Sequence, residues 1–534
     1  MSLVVSVGGS WKDPVVAKGF LTGMDIDQSC LLPVDARDWL AADHPVWFFR
    51  DVVARLDLSG FERRYARGGA GRAAYDPRLL VGVLLYGYAN GQRSSRTLER
   101  LCGQDLAFRV LAGGLVPDHT TIARFRAGHD DDIAAVFAQV LVMCAEVGLV
   151  NLEVVAIDGT KIAASASGLR NATREQVQRQ WDAARRLADT ALAEAADTDA
   201  AENDIFGVDG DRGDRLPREL VDSRARLARI EELQQVLKDR EDAAAAKLQA
   251  ARDHAARHLA EVADPDQSPS SRAPRMVDPV DLARARLTRE RAVATRRQAQ
   301  TGQVRKPVED YTRVVRARAR LADAQTRAQA TPGRDLRRMT KPVRVNTTDP
   351  QSQTMTSAKG WVQGYNTQLA VSADQVILAV QVTNNPLDIA SFTPTMAAAV
   401  AAATCLAPHR RDGVATDIGV IVADAGYCSA ANLDAPGPDR IIATSKAHKL
   451  PPGPPDHDPP PDAGSVERMT HRIRTDEARA TYRHRATTVE PVNGHLKTIT
   501  AMRQMSRRGL IAAQAEVTLA ATVLNLAKLR RATT

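Results

Sequence analysis

Three acidic residues stand where chemistry is to be expected. Asp158 ends the apolar run Val154-Val-Ala-Ile157 and is followed by Gly159. A dense run with β-branched residues and little polar alternation reads as a buried strand. A carboxylate at the end of such a strand is costly to desolvate unless something positive meets it. Asp424 repeats the arrangement after Ile418-Gly-Val-Ile-Val-Ala423, and Glu490 lies in a helix-like segment that opens near Ala480. Three acids on separate elements are the ligand set of a hard divalent cation. Asp158, Asp424 and Glu490 are therefore expected to converge on one site for Mg²⁺, with Mn²⁺ as a substitute. Two-metal phosphoryl chemistry uses such a trio to hold two ions roughly 3.5–4 Å apart, one activating the nucleophile and the other stabilising the leaving oxygen. A single acid among the 64 Asp and Glu is by default a surface charge; the strand-end placement of two of them singles this set out.

The elements that must position these acids follow from periodicity. Trp361–Val371 and Val376–Thr383 read as two strands joined by the turn Ser372-Ala-Asp-Gln375, a β-hairpin. Ile389–Ala407 reads as an Ala-rich helix, Ile418–Ala423 and Ile441–Thr444 as strands, Asp476–Thr500 as a helix with irregularity near Pro491–Gly494, and Leu510–Arg531 as a last amphipathic helix. From residue 153 onward the order is strand, long helical insert, strand, strand, helix, strand, short helix, strand, helix. Without the insert this is the order of a ribonuclease-H-like α/β fold, in which the first and fourth strands lie side by side.

Upstream, residues 1–30 show no clear periodicity. From about Ala36 to Leu149 the chain reads as short helices: Asp51–Leu56, Pro77–Tyr86, one opened by Ser95 with Glu99 in its first turn, Asp105–Leu111, one after Pro117-Asp118, and Asp130–Val147. Arg124 and Arg126 on the helix after Asp118 invite a helix-turn-helix reading, against that of an ordinary bundle with a basic face; Phe125 is expected in the core. Downstream of Asp158, residues 165–340 change character. The loop Ser165–Asn171, the helix Gln176–Ala196, the acidic connection Thr198–Pro217, the helix Glu219–Ala251 with its stripe Leu220, Leu227, Ile230, Leu233 and Leu237, and the linker Pro265–Pro279 precede two Arg-dense helices, Asp281–Gln300 and Val308–Gln329. The second carries Arg313, Arg316 and Arg320. One-signed charge over two helices suits phosphate contact, the alternative being a solvated face. Pro451–Gly464 reads as a surface loop.

A chain of 534 residues exceeds one ordinary core. Its net charge of +8 leans toward a polyanionic partner. Five scattered cysteines without a CxxC pair support neither a zinc site nor a disulfide framework and fit a reducing cytoplasm. No apolar run approaching ~20 residues and no signal peptide are seen, so no membrane partner is expected.

In order along the chain stand Tyr75-Asp-Pro-Arg-Leu-Leu80, Arg93-Ser-Ser-Arg96, Pro117-Asp-His-Thr-Thr-Ile-Ala-Arg-Phe125, Ile157-Asp-Gly-Thr-Lys-Ile162, Gly364-Tyr-Asn366, Ala423-Asp-Ala-Gly-Tyr427 and Val489-Glu-Pro-Val492. Each is short; their order and strand contexts together resemble the DDE transposases of bacterial insertion sequences over nearly the whole chain. The resemblance implies that Asp158, Asp424 and Glu490 are catalytic and that Tyr482, Arg485 and Lys497 accompany the last acid on the DNA. Lys497 follows Glu490 by seven residues, as in the family, and two helical turns put both on one face; the alternative for Lys497 is an exposed helix charge. Arg485 precedes Glu490 by five, one more than the commonest form, with Arg483 as the alternative. The implied organisation is a helical DNA-binding domain at 1–150, a catalytic domain at 151–164 and 341–505, the helical insert 165–340, whose role is left open between DNA clamping and subunit pairing, and a C-terminal helix at 506–534. The implied activity is cleavage at terminal inverted repeats and joining of the 3′-hydroxyl to target DNA, by a homodimer or larger assembly on double-stranded DNA, in the cytoplasm with the nucleoid. The rivals are a nuclease without strand transfer and a catalytically idle DNA-binding derivative.

Overall fold

The computed structural model describes residues 16–17, 20–21, 40–65, 73–206, 218–267, 273–274, 276–301, 306–330, 342–357, 360–411, 413–445 and 458–533. Most of the aperiodic segment 1–30, the acidic connection beyond Phe206, the side chain of Leu220 and the first half of the loop 451–464 lie outside the described residues. Contacts divide the chain into two units, residues 1–170 with 348–534 and residues 171–347.

The first unit begins with helices whose starts are written in the sequence. In α1 (Pro45–Arg55) and α2 (Pro77–Ala89), proline occupies the first turn, where its missing N–H costs nothing. Asp76 caps α2 through Arg78 N at 2.8 Å. Ser94, not Ser95, precedes α3 (Ser95–Gln104), and it makes no side-chain cap bond. Glu99 instead reaches His119 Nδ1 at 2.8 Å. Asp105 caps α4 (Leu106–Leu111), and Asp118 caps α5 (His119–Gly128) through Thr120 and Thr121; α6 spans Asp130–Glu146. This region is not all-helical. Val16–Ala17, Phe20–Leu21 and Ala74–Tyr75 form a small sheet, the last of them held extended on the way into Asp76, which its following proline keeps out of the helical region.

The central sheet is mixed. Its strands are β1 (Val154–Ala163), β2 (Gln353–Ser357), β3 (Gly360–Ser372), β4 (Ile377–Thr383), β5 (Val420–Ala423) and β6 (Asp439–Ile442). They lie in the order β6-β5-β1-β3, with β2 and β4 sharing the far edge of β3. β1 pairs parallel with β5 and antiparallel with β3, and β5 pairs parallel with β6. The expected hairpin is β3–β4, with an irregularity at Ala370/Val371. The β2–β3 hairpin lacked a sequence signal, since Gln353-Thr-Met-Thr-Ser357 carries one apolar residue. Gly364 is required here: a Cβ would sit 2.2 Å from the Ile162 carbonyl oxygen across the pair. Of the helices that follow, α7 is Phe392–Leu406, α8 Asp476–Thr498 and α9 Leu510–Thr533. α8 runs unbroken through Pro491.

α9 is not amphipathic. It is buried without interruption from Ala515 to Leu526, within one hydrophobic cluster that runs from Val46 in α1 to Leu529. Its polar residues have structural work. Gln514 bonds Val382 N and Val380 O, and Asn525 bonds Ile377 N and O, so the two close the open edge of β4. Glu516, fully buried, is met by Arg93 Nη1 at 2.6 Å and by Ser506 N and Oγ. Two stretches, Ile389–His409 and Leu510–Thr533, are long and apolar enough to cross a membrane, contrary to the reading of the sequence; the second is mostly buried against the rest of its own unit.

The second unit opens and closes on the antiparallel pair Asn171–Ala172 and Val345–Asn346. Helices Arg174–Phe206 and Arg218–Ala263 bury Val177, Ala184, Ile230, Leu233 and Leu237 between them. Helices Pro279–Thr301 and Thr312–Ala330 bury Leu287, Ala294, Val314 and Ala317.

Candidate active site

β1 and β5 carry two of the acids to one place. Their parallel ladder ends at Ile157↔Ala423, so Asp158 and Asp424 are the next residue on each strand. On the β5 side the backbone then leaves the sheet into a short turn, Ala425–Tyr427, which Asp424 caps by accepting from Gly426 N at 2.8 Å. On the other side β1 continues against β3 to Ala163.

Helix α8 lies along β1 on the face that bears Asp158. Asn493 Nδ2 donates to Asp158 Oδ2 at 3.2 Å, and Lys497 Nζ donates to Thr160 Oγ1. Four residues of helix advance about 6 Å and two residues of strand about 6.6 Å, so positions 493 and 497 keep step with 158 and 160. Lys497 is thus half-buried against the strand rather than an exposed helix charge. Arg485 reaches the same carboxylate: Nη1 is 3.6 Å from Asp158 Oδ2, and Nη2 is 3.0 Å from Glu490 Oε1. Its guanidinium lies 6.0 Å from the ring of half-buried Tyr482. Arg483 is exposed, so Arg485, despite the extra residue of spacing, is the arginine at the acids.

The third acid is linked to Asp158 through Arg485. Glu490 keeps a side chain 57% exposed and is paired with Arg485. Among the described residues no group of three or more His, Cys, Asp or Glu is placed to hold a metal ion. The donor set has the right chemistry, hard carboxylate oxygens, and Arg485 bridges two of its members, Asp158 and Glu490. On α8 the residue whose side chain touches Asp158 is Asn493.

The charge balance is uneven. Burial pushes the Asp158 carboxyl up to about 6; Arg485 and the Gly159 N–H oppose this, and the negative charges of Asp424 and Asp388 add to it. Asp388 is a fourth acid that the sequence reading missed. It follows β4 within Asn385-Pro386-Leu387-Asp388, which reads only as a turn. Its Oδ1 accepts from Lys161 Nζ at 2.8 Å, Asn366 Nδ2 at 2.7 Å and Gln368 Nε2 at 3.0 Å. Gly159 faces this group: a Cβ there would lie 2.6 Å from the Gln368 amide and 2.9 Å from Asp388 Oδ1. Asp158 and Thr160 therefore point to α8, and Gly159 and Lys161 to Asp388, as strand alternation requires.

The proposed DNA contacts separate on burial. Arg124 is exposed on α5. Arg126 is 7% exposed, and its Nη1 donates to Arg93 O at 2.8 Å and Tyr88 Oη at 3.3 Å. It is an internal strut, because Phe125 and Arg126 occupy the inward side of the helix; Phe125 is in the core, stacked on Phe61. In the second unit Arg313, Arg316 and Arg320 are exposed, and no ion pair involves them among the described residues, whereas Arg291 and Arg318 are paired with Glu309.

Two segments match family models. Residues 34–128 match a transposase domain (DUF772), and residues 462–530 match a transposase DDE domain. Neither match reaches half of the chain. Nothing among curated proteins or solved structures matches it. The first match covers α1–α5 and the second covers α8 with Glu490 and most of α9, so the two, within one compact unit, support a DDE-type transposase.

Proposed function

We propose that this protein is a DNA transposase of the insertion-sequence type. It binds terminal inverted repeats, cleaves the phosphodiester bond at each element end and joins the freed 3′-hydroxyl to target DNA. The catalytic core is of ribonuclease-H-like type, with Asp158, Asp424 and Glu490 as its acids. The observation that carries this reading is the parallel β1–β5 pairing that sets Asp158 beside Asp424; the strand order β6-β5-β1-β3-β4 is the order that fold requires. Tyr482, Arg485 and Lys497 line the acids on α8 and are the groups to hold a DNA phosphate. Arg124, with Arg313, Arg316 and Arg320, supplies phosphate contacts elsewhere, and the working form is a homodimer or larger assembly on double-stranded DNA. Transposase DDE domains generally use divalent metal ions, and the carboxylates of Asp158, Asp424 and Glu490 are the groups that would hold one.

The idle DNA-binding reading draws on Arg485, whose charge already meets two of the acids. One experiment decides between them. The full chain is incubated with a plasmid carrying the coding region and its flanking DNA, with and without Mg²⁺ or Mn²⁺. Cleavage at paired inverted repeats, lost by at least about 10²-fold in Asp158→Asn and Asp424→Asn with DNA binding kept, is the expected outcome. Binding without metal-dependent cleavage would leave the idle reading, and cleavage without joining would leave a nuclease.

A further inference from the structure

The ladder does not fix the direction of Asp424. Its β5 neighbour Ala423 is the last residue paired with β1, and Asp424 itself opens the turn Ala425–Tyr427. What holds that turn is a chain of hydrogen bonds from the opposite face of the sheet. Lys161, Asn366 and Gln368 all donate to Asp388 Oδ1. Gln368, its Nε2 held by Asp388, presents Oε1 to the Tyr427 O–H. Tyr427 is 1% exposed and packs 5.9 Å from the ring of Phe392. Asn432 Nδ2 holds the Tyr427 carbonyl at 2.7 Å. Gly426, between Tyr427 and the acid, donates to Asp424 Oδ1. A Cβ on Gly426 would lie 3.0 Å from Asp424 Oδ1 and 3.5 Å from Asp388 Oδ2, so the two carboxylates flank the same glycine.

We infer that Asp388 is a positioning residue: through Gln368 and Tyr427 it sets the direction of the Asp424 carboxylate. Asp388 orients the Gln368 amide, the amide chooses the Tyr427 hydroxyl as its donor, and the hydroxyl anchors the turn that Asp424 caps. Misplacement of a reacting group by about 1 Å costs on the order of 10²-fold in rate, and sites hold such groups through a supporting layer of hydrogen bonds. The inference rests on the proposal that Asp158 and Asp424 are the reacting acids.

The test uses the full chain with the variants Asp388→Ala, Tyr427→Phe and the double variant, beside Asp158→Asn as control. Cleavage rate, DNA affinity, Mn²⁺ affinity by calorimetry and melting temperature are measured. Tyr427→Phe removes one hydroxyl from a well-packed ring, so it serves if Asp388→Ala fails to fold. The expected result is a cleavage rate lowered roughly 10- to 100-fold in each single variant, with DNA affinity unchanged. The double variant should be no slower than Asp388→Ala, because both changes cut one chain. Multiplicative losses in the double variant would overturn the positioning role. So would a Mn²⁺ affinity lost in Asp388→Ala and kept in Tyr427→Phe, which would make Asp388 a ligand. Full activity in Tyr427→Phe with Asp158→Asn inactive would sink this inference alone; activity retained in Asp158→Asn would sink the functional proposal and this inference with it.

Discussion

The two faces of β1 treat a carboxylate in opposite ways. On one face Asp388 meets Lys161 and two amides; burial alone would raise it, but these hydrogen bonds hold it below the usual carboxylate range. On the other face burial lifts Asp158 to about 6, against Arg485 at 3.6 Å, the Gly159 N–H at 2.9 Å and one long bond from Asn493, and two negative neighbours add to the rise. The faces are one residue apart in sequence. Their difference teaches which side the fold uses to hold itself and which it leaves unbalanced. An unmatched, partly buried acid lowers stability and is kept where a cationic partner or a reacting group is to arrive.

Two substitutions should move stability in opposite directions. A carboxyl shifted from an ordinary value near 4 to about 6 is worth about 3 kcal/mol against the folded state at neutral pH, an upper figure. Asp158→Asn should therefore stabilise the protein at pH 7 by up to about 3 kcal/mol while removing cleavage. The sign of the pH dependence follows. Between about 4 and 6 the folded state binds a proton that the unfolded state has released, so wild-type stability falls as pH rises through that window. The advantage of Asp158→Asn should be full above pH 6 and vanish below about 4, as measured by urea unfolding across pH. Lys161→Met, which keeps the aliphatic stem, should cost about 1.5–3 kcal/mol by removing a charged hydrogen bond from Asp388. Stabilisation by both, or by neither, would dissolve the contrast between the faces.

Arg485 sharpens the same contrast. Its side chain is only 17% exposed, its Nε has no hydrogen-bond partner, and its guanidinium bridges Asp158 and Glu490. If that positive charge occupies the place of a divalent ion, Arg485→Gln should bind Mn²⁺ at least roughly tenfold more tightly in the absence of DNA, which is about 1.4 kcal/mol. Calorimetric titration of the metal into the DNA-free protein measures this. An unchanged or weaker affinity would show that the arginine does not compete with the cation.

How much of this was legible in the sequence depends on the kind of signal. Asp158 and Asp424 were found because a buried strand writes a continuous apolar run, and an acid at its end is conspicuous. The β3–β4 hairpin was found through alternation broken by a turn. Asp388 was not found, because it sits just beyond a strand in a polar turn and its role arises only when β1, β3 and β4 are side by side. The exposure of Glu490 was hidden for a related reason. Helical periodicity tells which residues share a face, not which face meets the strand, and Asn493 took the place facing Asp158. Arg126 was misread as a surface charge; its neighbour Phe125 marked the inward side of α5, but an arginine reaching inward leaves no pattern. Leu510–Arg531 was read as amphipathic, yet its polar residues Gln514, Glu516 and Asn525 are bonded within the fold rather than set on a solvent face.

The comparison of matched and unmatched charge extends to the second unit. There Arg284, Arg291, Arg296, Arg318 and Arg327 each pair with an acid. Arg313, Arg316 and Arg320 lie at spacings of three and four on the exposed side of a helix whose Val314 and Ala317 face inward. A surface pair contributes about 0–1 kcal/mol, so the paired arginines say little about function. Arg313, Arg316 and Arg320, with no ion-pair partner among the described residues, are available to phosphate. Each phosphate they neutralise contributes about 0.9 to the slope of log affinity against log salt. Replacing all three with Gln should make that slope shallower by up to about 2.7. Binding should weaken on every duplex alike, because phosphate contacts carry no sequence information. The preference for element ends over random DNA should stay as it was, and folding should be unaffected, since substitutions at exposed positions usually stay within about 0.5 kcal/mol. Titrations at four salt concentrations on both duplexes measure the slope. A slope that does not change would assign these arginines to solvent or to a subunit contact, and sedimentation of the same variant separates those two: a smaller assembly marks the contact.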